Sequence, residues 1–144
     1  MGALNFSAPR IVAPTPANKL LPFEKALLDA TAAALPAADA RLLAQQVLCI
    51  NNIRRVSDWK QIELYSKRWL WHRWPAGVLF VRKEKFRLAT VSCRFGVQDA
   101  HIEVWAVDGH VSALSASTGL SGLSIAGPLS ILAVDPGVQK TRIS

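Results

Sequence analysis

The sequence predicts an α+β domain: two N-terminal helices packed on one face of an antiparallel sheet of about four to five strands. Three observations carry that prediction. Apolar residues recur at steps of three and four between positions 22 and 51. After Arg55 the period falls to two through a series of short segments. Helical and strand patterns do not alternate, which argues against a doubly wound nucleotide-binding sheet.

The chain divides into an irregular tail over 1–21 and a single domain over 22–144. Pro9, Pro14 and Pro16 favour extended backbone in the tail, where Ile11 and Val12 offer apolar anchors. The first helix is expected from about Pro22 to Leu35. Proline suits the first helical position because its missing N–H has no intrahelical partner there. Phe23, Leu27, Ala30 and Ala34 share its apolar face. Pro36 breaks the pattern. A second helix follows from about Ala37 to Asn51 with Leu43, Val47 and Ile50 as its stripe, and Asn51-Asn52 is expected to stop it. Joined this tightly, the two form a hairpin.

Strand alternation begins at Ile62 and Leu64. The segment from Lys67 to Pro75 reads as extended, Ala76-Gly77 as a turn, and Val78 to Val81 as a short apolar run. From Phe86 to Phe95, Ala89, Val91, Cys93 and Phe95 point one way, and Thr90, Ser92 and Arg94 the other. Gly96 to Asp99 is the expected turn before a strand over Ala100 to Val107. Asp108-Gly109 between alternating runs predicts a type I′ hairpin, with residue 107 opposite 110 and a return strand over His110 to Ala116. Leu129 to Val134 reads as an edge strand closed by a turn at Asp135-Pro136-Gly137.

Composition narrows the function classes. The chain has 144 residues, 51% hydrophobic and 19% charged, which is globular rather than disordered. No apolar run reaches membrane-spanning length, and prolines break the N-terminal segment where a signal peptide would need an apolar core. Cys49 and Cys93 are too few for a disulfide framework or a four-cysteine zinc site. They read as reduced thiols of a cytoplasmic protein, although a bridge between them is open. No phosphate-binding glycine loop and no serine-hydrolase elbow occurs. His72, His101 and His110 lack metal-ligand spacing, and no cofactor is implied. His101 and Glu103 share a face of one strand, the sole arrangement here resembling an acid–base dyad.

The formal charge of +7 is concentrated. Between Arg54 and Arg94 stand eleven basic residues and three acids, while the remainder is nearly neutral. Within this block Lys67, Arg68, Trp69, Trp71, Arg73 and Trp74 mix indoles with cations. Such a mixture suits a protein hot spot, and equally a single-stranded nucleic acid, whose bases stack on rings while cations meet phosphates. The competing reading packs the tryptophans into the core. Arg82, Lys83, Lys85 and Arg87 add a second basic cluster that would form one positive face if it lay beside Arg94. A solvated edge that resists aggregation is the alternative.

These readings converge on a small non-catalytic binding protein of the adaptor or toxin-neutralising immunity type. Its partner would be an acidic protein, bound through the basic, tryptophan-rich surface. A nucleic-acid-binding module using the same residues is the alternative.

Overall fold

In the computed structural model, residues 17–56, 58–68, 71–120 and 128–137 are described. The first helix, α1, spans Pro22–Ala34. Its N-terminus is closed by Glu24, whose Oε1 accepts the Leu21 N–H at 2.7 Å. Phe23, Leu27, Leu28 and Thr31 face inward, and the Thr31 hydroxyl donates to Leu27 O. Pro36 then forces extended backbone on Leu35 (φ −92°, ψ 161°), ending the helix.

The second helix, α2, covers Ala37–Cys49 and buries Leu43, Gln46 and Val47. It stops two residues before the expected end. Ile50 is already extended, and Asn52 opens a strand, β1 (Asn52–Val56), that local periodicity does not reveal. Tertiary pairing decides this: Ile53 is buried at 3% exposure, and β1 hydrogen-bonds to β2 (Gln61–Tyr65). Asn51 is not a helix stop. Its side chain pairs with the backbone of Lys67 in both directions, at 2.7 and 3.0 Å.

Four further strands complete the sheet: β5 (Phe86–Phe95), β6 (Gln98–Val107), β7 (His110–Ala116) and β8 (Leu129–Pro136). All pairings are antiparallel, in the order β1-β2-β7-β6-β5-β8. The sheet therefore has six strands rather than four to five. Two two-residue strands, β3 (Lys67–Arg68) and β4 (Trp71–His72), form a separate ribbon. A 3₁₀ turn at Ala76–Val78 leads from it towards β5.

Three turns refine the local expectations. Asp108 and Gly109 both have positive φ (56° and 88°), and Val107 pairs with His110, as a type I′ hairpin requires. The β5–β6 turn is shorter than expected. Phe95 pairs with Gln98, leaving only Gly96-Val97 between the strands. The expected turn at Asp135-Pro136-Gly137 is instead the end of β8, held there by ladder pairing to Ala89 and Thr90.

Both helices pack on one face of the sheet. Phe23 meets Phe95 edge-to-face at 5.6 Å. Leu27, Leu28 and Leu43 join Ile62, Leu64, Val91, Cys93, Ile102, Val104, Val111 and Leu114 in one core. Two polar contacts fasten the layers. Gln46 is fully buried; its amide donates to Val78 O and Gly109 O, and its carbonyl accepts from Val111 N. Arg55 of β1 holds the buried Glu24 of α1 through two 2.7 Å hydrogen bonds. No described helix is long and apolar enough to cross a membrane.

Candidate functional site: a groove on the open sheet face

Among the described residues, no helix covers the other face of the sheet. Strand alternation sends polar and aromatic side chains there, and register sets them in rows. One row runs Arg54, Glu63, Ala113, Trp105, Arg87 across five strands. The next runs Gln61, Ser115, Glu103, Thr90. The small Ala113 and Ser115 on β7 make a low floor between larger neighbours. Bulges interrupt β5 next to Arg87 and β7 next to Ala113, on either side of Trp105. Paired bulges at one level bend a sheet and increase its twist. The result is a groove of about 690 Å³, within the usual range of ligand sites.

Trp74 walls one end. It stacks on His110 with centroids 4.4 Å apart and planes 12° from parallel, beside the Asp108 turn. Tyr65 and Glu63 line the β2 side. The Tyr65 hydroxyl donates to Glu63 Oε1 at 2.9 Å. Burial, then the Glu63 carboxylate, raise the Tyr65 pKa, so the phenol stays protonated as a donor. Trp105 and Glu103 line the β6 side, with Trp105 Nε1 donating to Glu103 Oε1 at 3.3 Å. Lys85 places its ammonium 5.2 Å from the Trp105 ring centroid.

The residues singled out from sequence separate into three groups. Trp74, Lys85 and Arg87 come together at the groove, Arg87 through its 3.7 Å approach to Glu103. Lys67, Arg68 and Arg73 are exposed on the ribbon and its exit. Trp71 contributes its backbone to β4, while Trp69 lies outside the described residues. Arg82 and Lys83 belong to the segment wrapped around the β6–β7 turn. Arg82 pairs with Glu84 and covers the Phe86 ring, and Lys83 donates to Phe80 O.

One continuous positive face does not form. Arg54, Arg55, Arg82, Arg87 and Arg94 each meet a carboxylate, of Glu63, Glu24, Glu84, Glu103 and Asp99 respectively. Nor does a His101–Glu103 dyad form. The His101 ring pairs with the Ser92 hydroxyl at 3.1 Å, whereas Glu103 faces Trp105 and Arg87.

Sequence reasoning did not single out Glu63, Tyr65, Trp105 or Asp108 as a site. Alternation places the first three on outward faces, but their convergence requires β7 to lie between β2 and β6. Cys49 and Cys93 are both free thiols. Cys93 is buried, and desolvation, with a smaller contribution from Asp99, lifts its pKa to about 11. No family model matches the chain, and no curated protein or solved structure is significantly similar to it.

Proposed function

We propose that this chain is a non-catalytic binding protein of the adaptor or immunity type, which docks an acidic protein partner on the β3–β4 ribbon and the adjoining open sheet face. One observation carries this reading. Lys67, Arg68 and Arg73 are exposed and meet no acid among the described residues, while five other arginines of the basic block are paired. Unpaired surface cations beside an aromatic wall steer an acidic partner and favour its register. The two free thiols fit a reducing compartment such as the cytoplasm.

The nucleic-acid alternative is less well supported. Bases stacked on the groove's rings would bring their phosphates beside Glu63, Glu103 and Asp108, whereas a folded protein can present its acids to the ribbon and other side chains to the groove. The test has two arms. A partner identified by crosslinking and affinity capture is purified and titrated against the wild-type protein and the variant K67A/R68A/R73A. The triple variant should lose affinity, mainly through slower association, with an unchanged melting transition. Unchanged partner affinity overturns the reading. So does oligonucleotide binding that survives near-physiological salt and disappears in the same variant, since that outcome assigns the ribbon to nucleic acid.

A further inference from the structure

The groove differs in chemistry from the ribbon beside it. The charged groups that line it are Glu63, Glu103, Asp108 and Lys85, and Arg54 and Arg87 reach its two glutamates from the rim. These arginines form ion pairs with Glu63 and Glu103 at 3.6 and 3.7 Å, longer than a hydrogen bond. Each carboxylate accepts a hydrogen bond on Oε1, from Tyr65 and Trp105 respectively, which leaves Oε2 with capacity for a further donor. The rings of Tyr65, Trp74 and Trp105 line the same space. Aromatic faces and carboxylate oxygens with acceptor capacity to spare together suit a cation that carries N–H donors. The chain already places its own cation there, with Lys85 Nζ over the Trp105 ring.

We infer that the groove receives one guanidinium or ammonium side chain of the protein partner, and that Lys85 occupies the seat in the unbound chain. The choice of source rests on the proposed docking reading. The groove ends at Trp74, directly after the ribbon, so a partner held there by its acidic residues brings a neighbouring arginine or lysine in at high effective concentration. The incoming cation would displace Lys85 from Trp105 and hydrogen-bond Glu63 and Glu103. Charge-assisted bonds of this kind are the strong ones.

A probe separates this inference from the docking reading, because it needs no partner. N-acetyl-arginine methylamide is titrated into the full chain while the Trp105 indole N–H is followed by NMR, with N-acetyl-glycine methylamide as the neutral control. Only the arginine probe should shift that resonance saturably. E63Q/E103Q, with its fold checked by melting, should weaken the probe by about tenfold or more, the scale of one lost hydrogen bond to a charge. K85M should tighten binding by freeing the Trp105 face, whereas the charge-matched control K60M, in the β1–β2 turn, should not. An acidic peptide carrying one arginine should bind more tightly than the same peptide carrying citrulline. An unmoved Trp105 resonance, indifference to E63Q/E103Q, weaker binding by K85M, or equal binding of the two peptides would each overturn the inference. The ribbon reading would stand on its own variant in every case.

Discussion

Cys93 shows how one side chain's chemistry follows from where its strand lies. It points into the core from β5, has no exposed surface, and offers its Sγ–H to Ala100 O at 3.7 Å. Burial disfavours the thiolate and raises the pKa from 9.0 to about 11. Because the folded value lies above the unfolded one, the contribution to stability is fully present below about pH 9 and declines as pH rises towards about 11. At pH 8 the half-buried Cys49 should therefore be alkylated by iodoacetamide first, with Cys93 modified only as fast as the protein unfolds. Mass-spectrometric mapping of the time course checks this, and equal rates would contradict it. Gln46 makes a related point. Leu43, Val47 and Ile50 were legible in sequence as the helix's apolar stripe; Gln46 was not among them, and its burial rests on three hydrogen bonds. Its partners, Val78, Gly109 and Val111, lie more than thirty residues away.

Among elements, α1 and β1 are joined by a buried ion pair. Arg55 and Glu24 are almost wholly buried and bonded in a bidentate fork, with the Arg55 guanidinium also over Trp59. Removing one partner strands the other charge in the core. Glu24→Gln should cost about 3–5 kcal/mol in urea unfolding. Glu24→Gln combined with Arg55→Met should recover much of that loss, since no unpaired charge remains; an additive double variant would refute the explanation. The helices and the β5–β6–β7 meander were legible because each carries its own periodicity over seven or more residues. β1 was not. Its five residues bury only Ile53 and follow directly on a helical pattern, so pairing with β2 decides its conformation.

Over the whole molecule, strand order sets which parts open together. β6 lies between β7 and β5, with Ile102 and Val104 buried on its inner side. β8 is an edge strand with Ile131 and Leu132 exposed, and the ribbon is a separate two-stranded unit. Amides of β6 should exchange with solvent only through global unfolding, whereas those of β8 and the ribbon should exchange through local opening. Hydrogen exchange across a denaturant series resolves the two classes, and equal protection of β8 and β6 would contradict the assignment. The site obeys the same logic. Trp74 and Lys85 stood out in sequence as part of a dense block of rings and cations. Glu63 and Trp105 did not, because they are forty-two positions apart and meet through one intervening strand.

Local information in the sequence thus determined the α+β class, both helices, three long strands, the Asp108-Gly109 hairpin and the basic tryptophan-rich block. Each depends on the spacing of neighbours along the chain, or on backbone preferences within a few residues. Tertiary structure alone decided the sixth strand, the pairing of five of the basic block's eleven cations with carboxylates, and the groove. Those follow from pairing between distant segments: β2 with β7 sets Glu63 opposite the small Ala113, and β6 sets Trp105 on its far side. A carboxylate's distant neighbour fixes both its charge balance and the space beside it, and no short window of sequence contains that neighbour.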